Sequence, residues 1–139
     1  MKVCSKKVAV VMLILVLTLS LCASAFAESV EPRWKELSTV YSSLERKSGI
    51  FSNANVYAGA SSWNNTNTIS LTVTIQKWNG SSYVDTSYTW SSSAKGSTSV
   101  DKDVKLGAGN YRAHTVVTVY NSSGAYVETV TSDSSELII

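Results

Sequence analysis

The stretch Thr68-Ile69-Ser70-Leu71-Thr72-Val73-Thr74-Ile75-Gln76-Lys77-Trp78 decides the fold. Ile69, Leu71, Val73 and Ile75 alternate with Ser70, Thr72, Thr74 and Gln76. That period of two gives an extended chain one apolar and one polar face, and so predicts a half-buried strand. Asn79-Gly80 follows, a pair that tolerates positive φ and turns a hairpin. The return strand is then expected from Ser82 to Ser91, with Val84, Thr86, Tyr88 and Trp90 on one face and Tyr83, Asp85, Ser87 and Thr89 on the other.

A second hairpin repeats the scheme. Asn110 to Asn121 carries Tyr111, Ala113, Thr115, Val117 and Val119 on one face, Ser122-Ser123-Gly124 turns the chain, and Ala125 to Thr131 returns. Val73-Thr74-Ile75 leading to Tyr83-Val84-Asp85-Thr86 is echoed by Val117-Thr118-Val119 leading to Tyr126-Val127-Glu128-Thr129. Duplication, or convergence of two hairpins under the same constraints, accounts for the echo.

Between the hairpins, Ala94 to Leu106 is polar, and Val100, Val104 and Leu106 share parity. A short edge strand is expected there, with Lys95, Lys102 and Lys105 discouraging edge-to-edge association. Leu106-Gly107-Ala108-Gly109-Asn110-Tyr111 places a tyrosine directly after a glycine turn, as in the tyrosine corner of immunoglobulin-like sandwiches.

Upstream, Pro32 with Trp34, Leu37, Tyr41 and Leu44 permits a helix, while Val40, Ser42 and Leu44 also alternate. The serines and threonines nearby are mediocre helix formers. The preferred reading is a loose approach followed by a strand near Thr39 to Lys47. Gly49 then turns the chain into a strand from Phe51 to Gly59, and Ser61 to Thr68 is a loop carrying Trp63.

Six or seven short strands, each with one face to bury, close most economically as an antiparallel two-sheet sandwich. The expected class is all-β and immunoglobulin-like without a disulfide, with a small β-barrel as the alternative.

Residues 1–27 read as a signal peptide. Lys2, Lys6 and Lys7 precede an apolar run from Val8 to Leu21, and Ala25-Phe26-Ala27 supplies the small residues of a cleavage site before Glu28. Leu21 before Cys22 disfavours lipid attachment. Both cysteines, Cys4 and Cys22, fall in this leader. Without its three lysines the formal net charge of +2 becomes about −1 with His114 neutral. No basic cluster then remains for a nucleic-acid backbone, and no thiol for a disulfide or thiolate site. The expected organisation is a signal peptide at 1–27, an approach segment at 28–38 and one sandwich domain at 39–139 with a short C-terminal tail. The expected location is extracellular or at the cell surface, with no membrane contact after cleavage.

Certain short motifs carry a resemblance. Ile75-Gln76-Lys77, the partner-strand Trp90 and Gly109-Asn110-Tyr111-Arg112 resemble features of small secreted proteins of Gram-positive bacteria, across most of residues 40–134. Gly49-Ile50-Phe51 and Asn53-Ala54 depart from the strand opening of that pattern. The resemblance implies secretion and a sandwich, and lends no catalytic residue.

Chemistry is sparse. His114 is the sole histidine, it sits inside an expected strand, and no Gly-x-Ser-x-Gly elbow accompanies it. Asp85 and Glu128 hold corresponding hairpin positions and would form an acid–base pair only by meeting across the fold; otherwise they are solvent-facing charges. Asp101 and Asp103 share parity, a partial oxygen set for calcium, with Lys102 and Lys105 nearby favouring plain surface charge. One histidine and no downstream cysteine disfavour zinc, and no phosphate-cradling glycine motif is present. No catalytic, metal-binding or cofactor-binding residue is assigned.

The remaining signal is aromatic. Trp78 and Tyr120 fall on the outer parity of their strands, with Tyr83 and Tyr126 beside the turns. Flat rings among Asn, Ser and Thr suit a sugar face or a protein partner, because they supply contact area at little conformational-entropy cost. These four are the candidate ligand contacts of a non-catalytic binding module, the partner being a protein or a cell-wall glycan. A structural or assembly protein is the alternative, and a secreted glycan-active hydrolase a lesser one. The Asn-x-Ser/Thr triplets at Asn64, Asn79 and Asn121 are read as turns.

Overall fold

The computed structural model describes residues 34–139. The expected signal peptide and the first part of the approach segment lie outside the described residues. Eight strands occur among those described: β1 (Leu37–Arg46), β2 (Ala54–Ser62), β3 (Thr68–Trp78), β4 (Tyr83–Lys95), β5 (Ser97–Val104), β6 (Asn110–Tyr120), β7 (Tyr126–Asp133) and β8 (Leu137–Ile138). They form a three-stranded sheet, β1-β2-β5, and a five-stranded sheet, β4-β3-β6-β7 with β8 on β6. Every pairing is antiparallel. The two sheets stack as a sandwich and do not close into a barrel.

The alternation in β3 works as expected. Ile69, Leu71, Val73 and Ile75 are fully buried and face Tyr111, Ala113, Thr115, Val117 and Val119 of β6 within the same inner layer. Leu37, Leu44, Ala54, Val56, Ala58, Ala60, Val100 and Val104 close the core from the smaller sheet. Its one fully buried polar side chain is satisfied: Thr115 Oγ1 donates to Ser42 Oγ at 2.9 Å, and Ser42 Oγ donates to the Ala113 carbonyl at 3.2 Å. These bonds tie β1 to β6 across the interior, so the polar pair fixes how the sheets face each other.

Residues 37–46 form a strand, which removes the helical alternative. Leu44 is buried and Val40 packs against the core, both at the alternating spacing, while the helical pattern would need Tyr41 on the same face. Instead Tyr41 lies on the outside, opposite Gly59. The strand expected to open at Phe51 opens at Ala54, because the intervening residues form the β1–β2 connection. The polar segment after Ser91 divides: β4 continues to Lys95, Gly96 turns at a φ of 77°, and β5 runs from Ser97. Opposite Ile75 the β3–β4 ladder shifts by two residues. Parity therefore survives the irregularity, and Tyr88 stays on the side of Trp90, stacked on it at 6.1 Å.

Lys102 shares the inward parity of Val100 and Val104 yet is exposed at the edge of its sheet. An inward-pointing charge on an edge strand obstructs pairing with another chain. The expected tyrosine corner takes a different form. Tyr111 is buried at the start of β6, with Lys77 Nζ 5.5 Å from its ring centroid. The hydroxyl bonded to the β5–β6 connection is that of Tyr88, which donates to the Lys105 carbonyl at 3.0 Å.

Candidate functional site

The β3–β4 hairpin is built to hold its last residues still. Asn79 Oδ1 accepts from the Ser81 and Ser82 N–H groups at 2.9 Å each, and Gly80 takes a φ of 102°. Asn121 in the β6–β7 turn and Asn64 before β3 use their side-chain oxygens in the same way. All three triplets are thus side-chain-capped turns.

Directly before and after the Asn79 turn, Trp78 and Tyr83 face each other across the hairpin on the outer side of the five-stranded sheet. Their ring centroids lie 5.2 Å apart with the planes tilted by 60°. The Arg112 guanidinium of β6 sits 4.3 Å from the Tyr83 ring centroid, a cation over an aromatic face. Arg112 Nε donates to Gln76 Oε1 at 2.8 Å, and Gln76 Nε2 donates to Asp85 Oδ1 at 2.8 Å. On its other side Arg112 pairs with Asp133 at 3.1 Å, whose second oxygen lies 2.5 Å from His114 Nδ1. A continuous polar chain therefore crosses four strands, from Asp85 through Gln76, Arg112 and Asp133 to His114. Tyr83 donates its hydroxyl to Glu136 at 2.5 Å, and Asn110 holds the other Glu136 oxygen at 2.9 Å. The bond to Glu136 is the main cause that raises the Tyr83 phenol above its ordinary value; slight burial and the Glu136 charge add, and Arg112 opposes.

This framework orients the aromatic pair. A shallow groove of about 370 Å³ adjoins it, lined by Lys77, Trp78, Asn79, Val84, Asp85 and Thr86. Trp78 remains 40 % exposed although it is anchored at the hairpin base.

The four expected ligand contacts do not form one patch. Tyr120 and Tyr126 pair with each other at the β6–β7 turn. Lys77 opposes Tyr111 while Thr68 opposes Tyr120, so the two aromatic pairs occupy opposite ends of the same sheet. At about 3.3 Å per residue the separation is roughly 30 Å. Trp63 is exposed on the β2–β3 connection, and Trp90 faces inward, partly buried.

Asp85 and Glu128 do not meet. Asp85 bonds Gln76 on the outer face, whereas Glu128 accepts from the backbone N–H groups of Lys35, Glu36 and Leu37 at 3.0, 2.8 and 3.1 Å. Glu128 is opposite the inward-facing Val119, so it lies on the inner side of β7. Burial pushes its carboxyl up, but those three donors outweigh burial and, with the Lys35 charge, hold it below its ordinary value. Its role was not legible beforehand, because its donors are backbone groups more than 90 positions away. Asp101 and Asp103 share the Asn55 amide at 2.8 and 2.9 Å, and Lys47 takes the remaining Asp103 oxygen at 2.5 Å. Lys47 and then Asn55 hold the Asp103 carboxyl below its usual range. Among the described residues no group of three or more His, Cys, Asp or Glu could hold a metal ion.

The outer face of the smaller sheet carries a further aromatic pair that the sequence reading missed. Tyr41 and Tyr57 stack at 5.0 Å with an angle of 29°. Burial, then the Tyr57 hydroxyl and its charge, push the Tyr41 phenol up to about 12. Gly59 is the signal that could have revealed it. A Cβ on that residue would overlap the Tyr41 ring, so glycine makes room for the stack.

No family model, curated protein or solved structure matches the chain.

Proposed function

We propose that the protein is an exported, non-catalytic binding module of the cell surface that takes an extended cell-wall glycan against Trp78 and Tyr83. Export rests on the leader-like residues 1–27, and the Gram-positive setting on the resemblance of Ile75-Gln76-Lys77, Trp90 and Gly109-Asn110-Tyr111-Arg112 to small secreted proteins. An immunoglobulin-like identity is supported by strand order. With the seven long strands lettered A, B, C, C′, E, F and G, one sheet is A-B-E and the other C′-C-F-G, the arrangement of sandwiches with Greek-key connections.

The observation that carries the glycan reading is the Trp78–Tyr83 pair beside a shallow, mostly apolar groove that also carries Lys77, Asn79, Asp85 and Thr86. A pyranose ring has an apolar C–H face and hydroxyls at its rim. The first suits the indole, and the second suits Asp85, Asn79, Thr86 and Lys77. Because Arg112 and Glu136 hold the Tyr83 ring and Trp78 packs against it, little ordering entropy opposes binding. Sedimentation with purified peptidoglycan tests this: Trp78→Ala is expected to release most of the bound protein while Tyr126→Ala retains it. Equal retention by wild type and Trp78→Ala would reject the site.

Self-assembly is the second reading, favoured by β4. This edge strand is 13 residues long, and Asp85 and Lys95 are its only charged residues. Such an edge can template another strand. Light scattering at high concentration is the test, and a monomer throughout would remove this reading.

A further inference from the structure

The β1–β2 connection presents two large apolar side chains to water. Ile50 is 87 % and Phe51 92 % exposed, side by side at the apex. The base of this loop is tied down. Lys47 N–H donates to the Asn53 carbonyl at 2.9 Å, Asn53 N–H donates to the Val104 carbonyl at 3.0 Å, and the Asn53 side chain bonds both the N–H and the carbonyl of Leu106 at 2.8 Å. The apex is therefore held away from the core, and none of the described residues takes its apolar surface from water.

Cations lie immediately behind it. Arg46 and Lys47, with Ser48 and Gly49, line a shallow concavity of about 470 Å³. Arg46 donates to the Ile138 carbonyl, so its charge is hydrogen-bonded without being neutralised. Among the described residues no ion pair involves Arg46 or Lys105, the latter on the β5–β6 connection beside Asn53. Of the neighbouring carboxylates, Asp103 is paired with Lys47, while Glu45, bonded by the Ser43 hydroxyl, and Asp101, bonded by the Asn55 amide, keep their charge on the outer face of the smaller sheet. From the tip inward the order is apolar, then cationic, then sandwich.

We propose that this end of the sandwich docks on an anionic lipid bilayer, with Ile50 and Phe51 entering the headgroup–acyl boundary and Arg46 and Lys105 meeting lipid phosphates. Burial of interfacial apolar groups reaches about 5–10 Å into that boundary, within reach of a two-residue apex. Cations one step behind it then lie at phosphate depth. A narrow apolar tip backed by unneutralised cations fits a soft anionic surface better than it fits a flat protein face, whose contact would be broad and apolar at its centre. The expectation of no membrane contact rests on removal of the leader, with Phe51 read as the opening of a strand.

Vesicle sedimentation tests the proposal, using the protein collected from culture medium in the N-terminal form that export leaves. Equimolar phosphatidylglycerol–phosphatidylcholine vesicles are expected to bind it, and phosphatidylcholine alone to bind it far more weakly. The double variant I50S/F51S is expected to bind at least about tenfold more weakly, and R46Q/K105Q roughly fivefold more weakly for each charge removed. Added salt is expected to release the wild type, which tests the electrostatic part without any substitution. Failure of the wild type to bind, equal binding to both vesicle types, or unchanged binding by I50S/F51S would overturn the proposal.

Discussion

Replacing Glu128 with alanine should weaken the fold far more than an ordinary surface substitution does. The carboxylate is the acceptor for three successive backbone N–H groups at the start of β1, so its removal leaves partly buried donors unpaired. A hydrogen bond to a charged group contributes about 1.5–3 kcal/mol. The three bonds share one carboxylate and the site is partly open to solvent, so screening and non-additivity reduce their sum to roughly 2–4 kcal/mol. In a domain of this size that corresponds to a fall in Tm of about 10 °C or more. Urea unfolding followed by tryptophan fluorescence at neutral pH measures the loss, and Glu128→Gln, which keeps one acceptor oxygen, should lie between wild type and Glu128→Ala. The pH dependence is a second reading. The folded carboxyl titrates below the ordinary glutamate value of 4.5, so its contribution is present in full above that value and fades as pH falls through the folded one. Wild type and Glu128→Gln should therefore converge on acidification. A Glu128→Ala variant within about 0.5 kcal/mol of wild type, the range of ordinary surface changes, would refute the reasoning, as would a gap between wild type and Glu128→Gln that persists in acid.

Three further outcomes follow from the packing and the surface. Ultraviolet titration should show one tyrosine ionising near 12 that disappears in Tyr41→Phe; because folding raises this phenol above its ordinary value of 10.0, its contribution to stability should fall away as pH rises from 10 toward 12. Gly59→Ala should cost about 1–3 kcal/mol by displacing the Tyr41 ring, and the cost should shrink in a Tyr41→Ala background, as a double-mutant cycle in urea would record. Trp78→Ala should lower retention on peptidoglycan while costing at least about 0.5–1.5 kcal/mol of stability through the lost contact with Tyr83, the variant staying folded in a urea titration.

Much of the fold was legible because burial imposes a period of two. The β3 and β6 faces, both hairpin turns and the polar edge strand followed from the sequence alone. Over residues 37–46 the preferred strand did form: Leu44 belonged to both patterns, and Gly59 leaves room for Tyr41 on the outer face. Where the reading slipped, a non-local constraint decided the outcome. Phe51 carried strand-like character, yet Asn53, bound to Val104 and Leu106, sets where β2 begins. Trp78 and Tyr120 followed from parity as outward-facing, but the division of the aromatic candidates into two ends of the sheet depends on register. The polar chain joining Asp85, Gln76, Arg112, Asp133 and His114 gathers residues from four strands, and no local motif could announce it. Glu128 is the clearest case: a charge on an exposed-looking hairpin becomes the anchor of a distant segment.

The most direct test of the central claim is a titration of the isotopically labelled protein with soluble peptidoglycan fragments, followed by amide and indole NMR shifts. The expected result is saturable movement confined to Trp78, Asn79, Tyr83, Asp85 and Arg112, abolished by Trp78→Ala. Saturable shifts clustered elsewhere, for example at Tyr41 and Tyr57 or at Tyr120 and Tyr126, or no shifts at all, would contradict it.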